Sequence, residues 1–155
     1  MDDFSLTPAE RTLFDALNRR HIRFVIIGMG AAVIEGAPVA TQDLDMWFER
    51  IDDEGIPLAA IEAGGFWISG LGLRPPALGG KGLHRLDVVL TAHGLDSFAV
   101  EYARTHEYEI DGVTVRILPL DRVIASKRAA KRPQDVASLP VLEATLLARH
   151  EPPTE

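Results

Sequence analysis

Four consecutive apolar residues, Phe24-Val25-Ile26-Ile27, run straight into Gly28-Met29-Gly30. A continuous apolar run of that length, closed by glycines, predicts a buried strand entering a tight turn. Ala31-Ala32-Val33-Ile34 then predicts a short helix that ends near Gly36 and Pro38. A turn that leaves a strand at the start of a helix presents free backbone N–H groups. With the helix dipole behind them, those groups can hold a phosphate. Gly28 and Gly30 carry no side chain to block the approach. The pattern is not a dinucleotide fingerprint, because the third glycine is missing and Ile34 stands where the helix should continue. Nor is it a P-loop, which needs Gly-Lys-Ser/Thr. Taken alone, Gly-x-Gly is equally a structural turn.

The next segment, Leu44-Asp45-Met46-Trp47-Phe48, predicts a second strand. Leu44, Met46 and Phe48 share one face, while Asp43, Asp45 and Trp47 share the other. Two carboxylates side by side repel and lose hydration unless something neutralises them. A hard divalent cation does so. Mg²⁺ keeps several waters and needs only a few carboxylates plus substrate phosphates. A third carboxylate, Asp87, interrupts the apolar pattern of a strand predicted over Leu83–Leu90. On a buried strand such a group needs a partner or a metal. Coming from a neighbouring strand, it would complete a two-metal arrangement with ions about 3.5–4 Å apart. Asp-x-Asp by itself is also satisfied by solvent.

The rest of the chain predicts an α/β (α+β) domain with a helical C-terminal portion. Thr7-Pro8-Ala9-Glu10 is a capping box and opens a helix over about Pro8–Arg20. Asp52-Asp53-Glu54 reads as a loop, and Pro57–Ala63 as a short helix stopped by Gly64-Gly65. From Ser69 to Gly82 the Pro75-Pro76 and Gly79-Gly80 pairs argue against regular structure, so this reads as a loop beside a site or a surface connector. Leu95–Arg104 predicts a helix, and Asp111-Gly112 between Tyr108-Glu109-Ile110 and Val113-Thr114-Val115 predicts a hairpin. A helix follows Pro119, breaks at Arg132-Pro133, and gives way to a second that reaches about His150, before Pro152-Pro153 ends the ordered chain. One domain over residues 1–150 is expected, with a sheet core over about 22–117 and helices over about 119–150.

Composition removes several function classes. No cysteine is present, which excludes disulfides, thiolate catalysis and Cys-ligated metals. The net charge of −7 disfavours broad binding to double-stranded nucleic acid. Met1-Asp2-Asp3-Phe4 is unlike a signal peptide, and no apolar stretch suits a membrane span, so a cytoplasmic location is the expectation. His21, His84, His93, His106 and His150 show no zinc-ligand spacing and are expected to be non-catalytic. Ser69 lacks a nucleophile-elbow context.

The conjunction of these pieces resembles the nucleotidyltransferase superfamily, the polymerase-beta-like fold, and most closely its small bacterial AbiEii-like and uncharacterised members. The resemblance rests on Val25-Ile26-Ile27-Gly28-Met29-Gly30-Ala31, Thr41-Gln42-Asp43-Leu44-Asp45, Leu86-Asp87-Val88 and the run from Leu118 to Leu139. It implies a mixed sheet flanked by helices. It implies Asp43, Asp45 and Asp87 as catalytic and metal-binding residues for Mg²⁺ or Mn²⁺, with Asp87 also helping to activate the attacking hydroxyl. Gly28, Met29, Gly30, Thr41 and Lys127 are implied as nucleotide or phosphate contacts. The implied reaction moves an NMP from a nucleoside triphosphate to an unidentified acceptor and releases pyrophosphate. Two positions depart from the family pattern: Met29 stands where Gly or Ser is usual, and Val39 where many relatives are basic.

In the helix after Pro119, Lys127 breaks the apolar stripe of Val123 and Ala130. It either snorkels to solvent or faces a site, with Asp135 as a structural partner. Three functions stay open at this point. The first is nucleotidyl transfer. The second is a catalytically inactive nucleotide-binding or toxin–antitoxin module on the same fold, which would take a protein partner. The third is a phosphotransferase that reuses the carboxylates.

Overall fold

The computed structural model describes residues 4–70 and 74–150. Met1-Asp2-Asp3, the part of the Ser69–Gly82 stretch at 71–73, and the Pro152-Pro153 end lie outside the described residues. Helix α1 spans Pro8–Arg19 and carries the expected capping box: Glu10 N–H donates to Thr7 Oγ1 (3.0 Å), and Thr7 N–H to Glu10 Oε1 (2.9 Å). Strand β1, Phe24–Ile27, is buried along its whole length. Helix α2, Gly28–Ile34, begins on the first glycine, three residues before the expected start. Gly28 has φ +68°, so the chain reverses within a single residue, where a side chain would be strained.

Strand β2, Leu44–Phe48, shows the expected alternation, with Leu44, Met46 and Phe48 buried. Helix α3, Gly55–Glu62, starts two residues early because Asp53 Oδ1 accepts the Gly55 N–H (2.8 Å). Two three-residue strands follow, β3 (Phe66–Ile68) and β4 (Ala77–Gly79), paired antiparallel. Strand β4 corrects the expectation that Ser69–Gly82 has no regular structure. Trp67 turns in against Phe48, and the Phe66 ring lies over Gly79, where any Cβ would collide with it. Strand β5 is confined to Leu86–Val89, since Gly80 and Gly82 hold positive φ and keep the chain in a turn until Leu86. Helix α4, Phe98–Arg104, is capped by Ser97. Strands β6 (His106–Ile110) and β7 (Val113–Ile117) form the hairpin, and Asp111 (φ 51°) and Gly112 (φ 82°) supply the two positive angles of a tight turn. Helices α5 (Leu120–Ala130) and α6 (Pro133–His150) are separated at Lys131, which is left-handed.

The main sheet has the order β5-β2-β1-β7-β6. It is mixed: β1 is antiparallel to β2 and parallel to β7, and β2 is parallel to β5. Helices flank it and the C-terminal helices follow it, as the resemblance implied. No helix among the described residues is long and apolar enough to cross a membrane.

Candidate active site

The site is set by register. Asp45 lies opposite Ile27 on β1 and opposite Asp87 on β5. The residue after Ile27 is Gly28, so the α2 turn and two carboxylates meet at the same level of the sheet. Neighbouring strands are about 4.8 Å apart, which makes Asp45 and Asp87 adjacent. Asp43 sits just before β2 and is braced by Thr41, whose hydroxyl accepts the Asp43 N–H (3.3 Å) and donates to the Asp43 carbonyl (3.2 Å). The glycines are dictated by how close α2 lies to β2. A Cβ on residue 28 would sit 2.5 Å from Asp45 Oδ2, and one on residue 30 would sit 2.6 Å from Leu44 Cδ2.

A cavity of about 520 Å³ opens here. Gly28, Met29, Thr41, Asp43, Asp45 and Asp87 line its sheet side, and Lys127, Arg132 and Asp135 line its helical side. The structure thus gathers every expected site residue except Gly30, which is buried in the helix–strand contact and is absent from the lining. Asp87 departs from the buried-strand expectation. It sits on the edge strand β5, exposed towards this cavity.

Electrostatics divide the cavity in two. Burial, then the charges of Asp87 and Asp43, push the Asp45 carboxyl above its ordinary value, and Lys127 and Arg132 oppose them. Asp87, although exposed, is raised by partial desolvation against the cavity wall and then by the charge of Asp43. Across the cavity, Asp135 is 1% exposed and accepts from Arg132 Nε (2.7 Å), the Arg132 N–H (3.3 Å) and Lys127 Nζ (3.3 Å). The Arg132 hydrogen bond outweighs burial and holds the Asp135 carboxyl below its ordinary value. Lys127 therefore does not simply snorkel to solvent. It is tied down beside the carboxylates.

The donor set suits a hard cation: three carboxylates, two of them held unfavourably as anions. Among the described residues, however, no group of three His, Cys, Asp or Glu side chains is arranged to hold a metal ion.

Sequence reasoning missed Arg132 and His93, both of which line the cavity. The spacing of Lys127, Arg132 and Asp135 around the Pro133 break was the available signal for Arg132. His93 follows β5 with no pattern to mark it. A hollow of about 660 Å³ beside Arg23, Tyr102 and Arg116 is larger, but it contains none of these carboxylates.

The solution structure of the antibiotic-resistance factor ANT(2'')-Ia matches 91% of this chain and 84% of its own, with TM-score 0.58 and 16% identity. The crystal structure of ANT(2'')-Ia in complex with adenylyl-2''-tobramycin matches 89% and 87%, with TM-score 0.57 and 17% identity. An antigenic nucleotidyltransferase-like protein from Paracoccidioides brasiliensis matches 88% and 72%, with TM-score 0.53 and 13% identity. The chain has the nucleotidyltransferase fold. These matches speak for that fold, and not specifically for its AbiEii-like branch. No family model and no curated protein matches the sequence significantly.

Proposed function

We propose that this protein is a metal-dependent nucleotidyltransferase. It takes a nucleoside triphosphate and Mg²⁺ or Mn²⁺, moves the NMP to an acceptor and releases pyrophosphate. The observation that carries the reading is the cavity itself, which sets Asp43, Asp45 and Asp87 beside the Gly28 turn and opposite Lys127. In the transfer, a bond forms between the acceptor oxygen and the α-phosphorus, and the bond from that phosphorus to the β-bridging oxygen breaks. Asp87, on the strand beside Asp45, takes the acceptor proton. Asp43 and Asp45 hold the cation, which when bound neutralises phosphate charge. The α2 N-terminus and Lys127 hold the β- and γ-phosphates. Rate enhancement comes from positioning and charge neutralisation.

A second reading is nucleotide binding without transfer, as in an AbiEii-like member of a toxin–antitoxin pair with a protein partner. One observation favours it: among the described residues, no three acidic or histidine side chains are arranged to hold a metal ion.

The experiment is equilibrium binding of the four Mg²⁺-nucleoside triphosphates, followed by transfer of α-labelled NMP to an acceptor panel. The panel begins with aminoglycosides, since the ANT(2'')-Ia complex contains adenylyl-tobramycin. Labelled product and pyrophosphate that vanish in Asp43→Ala and Asp45→Ala support transfer. Binding without transfer across the panel supports the second reading. Phosphate released from the γ position, with no pyrophosphate, overturns both in favour of a phosphotransferase.

A further inference from the structure

Glu35 is a buried glutamate that the chemistry above does not use. It follows α2 as its C-cap, and its side chain is fully enclosed. The Tyr108 hydroxyl donates to it, and His106 Nδ1 lies 3.0 Å from both of its oxygens. The Leu120 N–H donates to Oε1 at 2.9 Å. Arg149 Nη1 donates to the Glu35 carbonyl at 3.0 Å and lies 3.4 Å from Oε1. One side chain thus joins the end of α2, the strand β6, the start of α5 and the last turn of α6.

The Leu120 contact has a local cause. Helix α5 begins after Pro119, which has no side-chain oxygen to cap the free N–H groups of the first turn. Glu35 supplies that oxygen from a distant part of the chain. A carboxylate there also complements the positive end of the helix. Tyr108 stays a donor throughout, because burial and the neighbouring Glu35 push its pKa up to about 12.

Glu35 lies at the end of α2 remote from Gly28, and Leu120 lies at the end of α5 remote from Lys127. About two turns, roughly 10 Å, separate the members of each pair. The two helices pack against each other. They are pinned together at one end, and at the other end Gly28 and Lys127 line the same cavity.

We infer that Glu35 is a positioning residue: by pinning α5 to α2 it sets the distance between Lys127 and the Gly28 turn across the triphosphate site. The inference rests on the reading of that site as a triphosphate site. A tilt of about 5° at the pin moves a point roughly 10 Å away by about 1 Å, and misplacements of about that size can cost roughly 100-fold at a reacting centre.

The test uses inorganic tripolyphosphate with Mg²⁺, a probe that reaches the phosphate contacts and nothing on the acceptor side. Its affinity is measured by calorimetry for the wild type, Glu35→Met, which leaves no oxygen to accept the Leu120 N–H, Arg149→Ala, Lys127→Ala, and the double variants that combine Glu35→Met or Arg149→Ala with Lys127→Ala. Arg149 is half-exposed at the end of α6, so its variant keeps the test open if the Glu35 variant fails to fold. Each single variant at the pin is expected to weaken affinity about tenfold or more. In the Lys127→Ala background the same changes are expected to have almost no further effect, because their action runs through Lys127. A pin variant that lowers the melting temperature but keeps wild-type affinity overturns the inference. So does an equal loss of affinity with and without Lys127. Failure of the wild type to bind any triphosphate refutes the triphosphate site itself, and the pin with it.

Discussion

Asp45→Asn gives the sharpest test of the carboxylate cluster. Burial and the charges of Asp87 and Asp43 raise the Asp45 pKa in the folded protein. An acid with a raised folded pKa binds more protons when folded than when unfolded within that window. Stability therefore falls as pH rises from the unfolded value through the folded one. At neutral pH the charged Asp45 weakens the fold. Two unit charges about 5 Å apart repel by roughly 3 kcal/mol at an effective dielectric of about 20. Lys127 and Arg132 offset part of this, leaving a net penalty on the order of 1–2 kcal/mol. Asparagine keeps the size of the side chain and removes the charge. In a chain of this length each kcal/mol moves the melting temperature by about 2–4 °C, so the variant should melt about 2–8 °C higher in chelator at pH 7.5. A Mg²⁺–triphosphate ligand at about 100 times its Kd stabilises the wild type by about 2.7 kcal/mol, and this gain should vanish in the variant. The assay is thermal unfolding by circular dichroism, with chelator and then with Mg²⁺-ATP. A variant that melts below the wild type in chelator would show that Asp45 is already satisfied without a cation. An undiminished shift with Mg²⁺-ATP would show that Asp45 takes no part in ligand binding.

Two further outcomes follow from local geometry. Gly28→Ala places a Cβ at a φ of +68° and 2.5 Å from Asp45 Oδ2, so it should lose about 2–3 kcal/mol; a urea midpoint within error of wild type would refute the close approach of α2 to β2. For Glu101, burial raises the pKa, but the Arg122 hydrogen bonds, the Asp96 N–H and the charges of Arg122 and Arg104 outweigh it, and the net direction is down. Its contribution is therefore complete above its ordinary value of 4.5 and is lost as pH falls below that. Glu101→Gln should lose less stability than the wild type between pH 5 and pH 2.5 by urea denaturation, and parallel curves would refute the assignment.

The pieces legible in the sequence were those whose cause is local. The capping box of α1, the β1-to-α2 turn, the alternation of β2, the Asp-Gly hairpin and the break at Pro133 all depend on residues within a few positions of one another. The three carboxylates were legible for a related reason, since Asp43-Leu44-Asp45 is a local pattern and Asp87 interrupts an apolar run; that they line one cavity follows from the register of β2 and β5. The short strands β3 and β4 were not, because a three-residue strand has too little alternation to register. What justifies Gly79 there is the ring of Phe66 across the ladder. The buried glutamates were equally hidden. Glu10 meets Arg85, Glu101 meets Arg122, and Glu35 meets Arg149, and in each pair the partner is brought in only by the completed fold. Sequence places Glu35 as an interruption in an apolar stretch, and nothing near it names the four groups it binds.

The parallel pairing of β1 with β7 has a consequence for how the molecule is made. β1 is the middle strand, yet one of its two neighbours is synthesised only after most of the chain has emerged. Until then an apolar strand waits with one edge open, a state that favours aggregation and slow closure. Lys127, Arg132 and Asp135, which line the cavity opposite the carboxylates, come later still, so that wall of the cavity is completed last, and chaperone dependence should track the delay between translating Ile27 and Ile117.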